Sequence, residues 1–264
     1  MPHPAVMTVW AALVAVAKSL PAIALVGSGG TLSVASALLP LCGVFFGPYA
    51  GALVAAIGGF IGQLLAPSTA WLGIFTFLIG VVTAFTAGMI IYKRWYISAG
   101  VLAIGIIIFE CFEMGRKAWL FAVMMYGTGM VALIICGILC ANFHWFNPKD
   151  PTKNKALNQL KRTVVVFLAA YASQICSGSV AGISQLTLFH MPLITWKVLA
   201  FSAPLERVSL AIGATVIGIP LLYALPKVGI FIGEVPSAEE EAALEAEAEA
   251  ALAQEQDKKE QETR

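Results

Sequence analysis

The sequence predicts an all-α polytopic membrane protein, a bundle of about eight transmembrane helices. Three observations carry this. Apolar residues make up 59% of the 264 residues and charged residues 12%, against about 25% charged in an average soluble domain. Mean hydropathy is +0.85. The apolar residues also fall into runs close to the length of a membrane helix, about 17–25 residues. The net charge of +1 hides an asymmetry, because eleven of the fifteen acids lie at residues 234–264. The rest of the chain is therefore basic, as cytoplasmic loops of a membrane protein are, and nothing in it points to nucleic acid.

The first apolar run predicts a helix over residues 2–18, with Lys18 snorkelling to the interface. A loop follows to Gly30, and Gly27-Ser28-Gly29-Gly30 suits a flexible lid. The stretch from Thr31 to Pro67 contains no charge. Its two runs, Thr31–Phe46 and Ala50–Ala66, meet at Gly47-Pro48, a pair that favours a tight turn. The second run carries small residues at helical spacing, Gly51, Ala55 and Gly59 on one stripe and Gly58 and Gly62 on another. Small residues four apart let helices approach closely in lipid, so this hairpin is expected at the bundle centre.

Further helices are predicted over 71–92, 95–109, 118–143, 163–189 and 203–225. Lys93-Arg94 ends the fourth, and Glu110, Glu113, Arg116 and Lys117 follow the fifth. A polar loop, HWFNPKDPTKNKALNQLKR, precedes the seventh. Residues 193–202 are either the first turns of the last helix or a short interfacial helix. The membrane domain is taken as 1–233. Residues 234–264 are an Ala/Glu-rich tail with helix propensity but too little apolar surface for a core. With the N-terminus inside, eight of the thirteen basic residues before the tail fall on the inner side, including every dense cluster. Both termini are then cytoplasmic.

The five cysteines all lie in apolar runs. Cys136 and Cys140 are one helical turn apart, but no His, Asp or Glu flanks them as in a zinc site, so they read as core filling and no metal or cofactor is expected. There is no G-x-S-x-G, P-loop or H-E-x-x-H pattern, and so no sign of an enzyme.

Ionisable groups at membrane depth are expensive and usually functional. Lys18, Glu110, Glu113, Arg116, Lys117, His190, Lys197, Glu206 and Arg207 are all predicted at the outer ends of helices. For Arg116 and Lys117 an exposed loop is the better reading. Glu206 follows Pro204, so it is either a first-turn carboxylate favoured by the helix dipole or a ligand contact. The seventh helix carries Gln174, Ser177, Gly178, Ala181 and Gln185 on one stripe, able to line a polar cavity or to bond neighbouring helices. Trp71 and Trp196 suit stacking on a flat ligand, or an interfacial belt. The candidate binding set is Lys18, Trp71, Gln174, Ser177, Gln185, Glu206 and Arg207.

The hairpin, through Pro40, Gly43, Gly47, Pro48, Gly51, Leu64, Leu65 and Pro67, resembles the second and third helices of the substrate-binding (S) components of energy-coupling factor (ECF) vitamin transporters. The stretch Ala203–Leu225 is similar to the last helix of that family. The family usually has six helices, so the resemblance implies a six-helix core plus an extra pair, expected to be the fifth and sixth helices. It implies capture of a vitamin or similar small nutrient at the outer face of a prokaryotic plasma membrane. It also implies docking with a membrane (T) subunit and a cytoplasmic ATPase pair, since this chain has no ATPase of its own. Ala11 and Ala15 match an alanine pair that in S components faces the T subunit; internal packing is the alternative. Two other classes stay open: a self-contained secondary transporter, which should show a repeat between halves and ionisable groups at the midplane, and a non-transport scaffold or membrane-enzyme subunit.

Overall fold

The computed structural model describes residues 4–24, 31–141 and 155–224. The Gly27–Gly30 run, the first half of the polar loop and the acidic tail lie outside them. Helix α1, Pro4–Lys18, leads to a short antiparallel pair, β1 (Pro21–Ala24) and β2 (Thr31–Ser33), with Ala24 opposite Thr31 and a register shift near Pro21. Part of the expected first loop is thus a strand pair. Helices α2 (Ala35–Phe46) and α3 (Pro48–Leu65) meet at Gly47, whose φ of 81° only glycine adopts without strain, while Pro48 opens α3. At 1.5 Å per residue α2 falls well short of the hydrocarbon layer of about 30 Å.

Two 3₁₀ turns, Pro67–Thr69 and Gly73–Phe75, lead into α4, Thr76–Ile91. Then come α5 (Trp95–Cys111), α6 (Glu113–Lys117) and α7 (Trp119–Phe121). A π-helical stretch, Ala122–Gly127, joins α7 to α8, Thr128–Ala141. The two longest helices are α9, Lys155–Leu188, and α10, Leu193–Ala224. The chain is an all-α polytopic membrane protein, with five helices long and apolar enough to cross a membrane and three shorter apolar ones among the described residues.

Several helix starts differ from expectation, and residues 193–202 are the first turns of the last helix, one of the two readings left open. Helix α9 begins eight residues before Thr163, because KALNQLKR is made mostly of good helix formers that continue the helix into the polar loop. Helix α10 begins ten residues before Ala203, so Pro204 lies inside it. Glu206 is therefore mid-helix, and the first-turn dipole reading of it is withdrawn.

Helix α9 packs against α2, α4, α5, α8 and α10, and every residue from Tyr171 to Ser179 is buried. Helix α2 is buried throughout Pro40–Gly47. These two hold the centre. Helix α3 does not: it packs on α1, α2 and α4 but leaves Leu53, Ile57, Phe60, Ile61, Leu64 and Leu65 exposed. Its small residues serve close crossings at the edge of the bundle. A side chain on Gly58 would meet the Ala11 carbonyl at 2.6 Å, and one on Gly62 the Ala15 carbonyl at 3.0 Å. Ala11 and Ala15 are buried in this crossing. Their small size lets α1 and α3 touch, which is the internal-packing alternative read from the sequence.

Candidate functional site

The site is built around a carbonyl that its own helix cannot satisfy. Pro40 sits inside α2 and has no N–H to donate to the Ser36 carbonyl, four residues earlier. Gln174 of α9 fills the gap: its Nε2 donates to Ser36 O at 2.7 Å. That bond sets which end of the amide points onward, so Oε1 accepts from Nη1 of Arg207 on α10 at 3.4 Å. One proline thus aligns three elements.

These side chains wall a cavity of about 80 Å³, at the end of the bundle where α1 and α3 finish and α2 and α4 begin. Lys18, Trp71, Gln174, Gln185, Glu206 and Arg207 all line it. Ser177 does not: it is buried, and its Oγ donates to the Gln174 carbonyl of its own helix at 3.0 Å. Gly178 and Ala181, on the same stripe, do face the cavity. Lys18 does not snorkel; it is buried and donates to the Gly59 carbonyl at 3.3 Å. Trp71 leans on Phe189 with ring centroids 6.1 Å apart and a tilt of 38°. Trp196 is fully buried among Phe109, Phe121 and Tyr126 rather than free to stack on a ligand.

Sequence reasoning missed the residues that shape the turn carrying Trp71. Gln63, buried at the end of α3, donates to Ile74 O at 2.9 Å and accepts from Phe77 N at 3.2 Å. Thr76 Oγ1 accepts from Leu72 N and donates to Gly73 O, both at 2.9 Å. A buried glutamine between apolar residues at a helix end was the available signal, since a buried amide must find partners. The Ser36 carbonyl was equally legible from Pro40.

Chemically the cavity is rich in donors. Two cations, Lys18 and Arg207, and one carboxylate, Glu206, line it. Arg207 Nε is buried with no hydrogen-bond partner among the described residues. An unpaired buried donor costs about 1–3 kcal/mol, so an acceptor from a ligand is favoured here.

The other charges predicted at this end stand outside the cavity. Glu113 and Lys117 form an exposed ion pair at 2.7 Å, and the hydrogen bond from Lys117 holds the Glu113 carboxyl below the usual range. Arg116 donates to the Glu110 and Cys111 carbonyls, closing the C-terminus of α5. His190 and Lys197 are exposed. At the opposite end, the thiols of Cys136 and Cys140 lie 4.0 Å apart, and Cys136 reaches the Val165 carbonyl at 3.7 Å.

No curated protein and no solved structure matches the chain. Residues 3–117 match a family model, that of the ECF-type riboflavin transporter, S component. The matched stretch runs from α1 through α6, so α5, the first helix of the pair expected as an insertion, lies inside it. Over those residues, which include the hairpin that carries the resemblance, the chain is similar to the S components of ECF transporters.

Proposed function

We propose that this protein captures a flat, acceptor-rich vitamin, of which riboflavin is the first candidate, at the outer face of a prokaryotic plasma membrane. It hands the solute to a T subunit and an ATPase pair for ATP-driven uptake. The observation that carries the reading is the Ser36–Gln174–Arg207 chain, which holds a buried guanidinium on the cavity wall with an unpaired N–H. A ring bearing carbonyl oxygens supplies the acceptor that this donor lacks, and a planar ring suits the apolar walls between Trp71 and Leu39. Glu206, the carboxylate among the described lining residues, can accept from a ring N–H. In this reading both termini, including the acidic residues 234–264, are cytoplasmic, and residues 1–233 are the membrane domain.

The test is calorimetry with riboflavin on the purified chain, wild type against Arg207→Ala. A hydrogen bond to a charged group is worth about 1.5–3 kcal/mol, so the variant should bind about ten- to a hundredfold more weakly. Wild-type protein that does not bind riboflavin, or a variant that binds it equally well, would remove the flavin reading.

A further inference from the structure

A cavity of about 80 Å³ is smaller than the roughly 150 Å³ that holds one benzene ring. Vitamin-sized ligands occupy pockets of about 300–1,000 Å³. The missing space lies behind one side chain. A second cleft of about 370 Å³ opens beside Lys117, Trp119, Phe121, Trp196 and Lys197. Phe121 lines both spaces, so it is the residue the two share.

Its mounting suits a movable wall. Phe121 is the last residue before the π-helical stretch Ala122–Gly127, and such irregular turns occur mostly at functional positions. Its neighbours Trp196, Tyr126 and Phe109 stand 5.0, 5.5 and 5.7 Å away, ring to ring. Within this cluster Trp196 Nε1 and the Tyr126 hydroxyl are buried without hydrogen-bond partners among the described residues. Buried donors of this kind are normally satisfied, and Trp196 lines the cleft. Lys117 and Lys197 stand at the same cleft, both exposed.

We propose that the binding site is composite. Phe121 swings aside to join the two spaces, the ligand's ring occupies the inner cavity together with the space that Phe121 vacates, and its flexible arm of hydrogen-bond acceptors occupies the cleft. Phe121 then sets the largest ligand admitted. The chemistry of the arm rests on the vitamin reading above; the partition by Phe121 stands on the geometry alone.

Two measurements on the full chain separate these. In a Cys111→Ser background, which removes the exposed cysteine, Ala181→Cys places a thiol on the cavity wall. A charged, water-soluble thiol reagent should label it at least about tenfold faster with Phe121→Ala or Phe121→Leu and more slowly with Phe121→Trp, since access follows the opening equilibrium. Equal rates across the series would overturn the partition. In the second measurement, Trp119→Ala and Lys197→Ala, both at exposed positions, should weaken riboflavin by about fivefold or more and leave lumiflavin, the same ring with a methyl group in place of the arm, within about twofold. Equal loss for both compounds, or no loss, would remove the arm from the cleft. Wild-type protein that binds neither compound refutes the flavin reading, while the labelling series still decides the role of Phe121.

Discussion

Pro40 and Gln174 lie far apart in sequence and act on the same atom, the Ser36 carbonyl. Replacing the proline tests that link in an unusual direction. In Pro40→Ala the new N–H can satisfy Ser36 within α2, which also removes the penalty of a proline inside a helix, about 3 kcal/mol where nothing else compensates. The variant should melt at a higher temperature, yet bind riboflavin roughly tenfold more weakly, because Gln174 no longer has a fixed orientation from which to hold Arg207. Gln174→Ala should lose affinity to a similar degree and lose stability as well, since it strands the Ser36 carbonyl. Glu206 sits in the middle of α10 and owes nothing to a helix terminus. Glu206→Gln should therefore leave the melting temperature nearly unchanged and weaken riboflavin about tenfold, read by calorimetry.

Among the elements, the α1–α3 crossing is the one most dependent on residue size. Gly58→Leu places a side chain where the Ala11 carbonyl already stands at 2.6 Å from the new Cβ. Overpacking of this kind costs about 1–3 kcal/mol or more. Size-exclusion profiles and thermal melts in detergent should show a marked loss of folded protein. Ala11→Val with Ala15→Val should do the same, whereas Ala12→Leu, on the exposed face of α1, should be tolerated. If the Ala11/Ala15 pair variant kept full stability and lost only uptake, the pair would be acting at a partner and not in this crossing. The helix pattern was legible in the residues. The small stripes of α3 correctly announced two close contacts. They could not say that the opposite face of α3 stays exposed, because close packing on one side constrains nothing about the other.

For the whole molecule, the cavity end is formed where α1 and α3 finish, and the basic residues Lys93 and Arg94 lie between α4 and α5 at the other end. The bias of Lys and Arg toward the cytoplasm is the ground for proposing that the cavity faces outside. Ser68, exposed between α3 and α4, and Gln159, exposed near the start of α9, report the two ends. In a Cys111→Ser background, Ser68→Cys should react with an impermeant thiol reagent in intact cells, and Gln159→Cys only after permeabilisation. The reverse pattern would turn the molecule over and place the cavity on the cytoplasmic side.

Composition and the spacing of apolar runs determined the membrane class, the approximate helices, the Gly47-Pro48 turn and six polar or aromatic residues of the cavity wall. These follow from local physics: lipid demands continuous apolar helices, and charges at their ends stand out against such a background. Lys18, Trp71, Gln174, Gln185, Glu206 and Arg207 were found that way and do share one cavity. Only the tertiary structure decided that Ser177 turns back on its own helix, that Trp196 packs in an aromatic cluster beside the cleft, that Ala11 and Ala15 pack against α3, and that Phe121 lines two spaces. Each of those depends on which helices become neighbours and how they rotate about their axes. A stripe of small or polar residues says that one face of a helix is special, and the partner that packs against it settles the use.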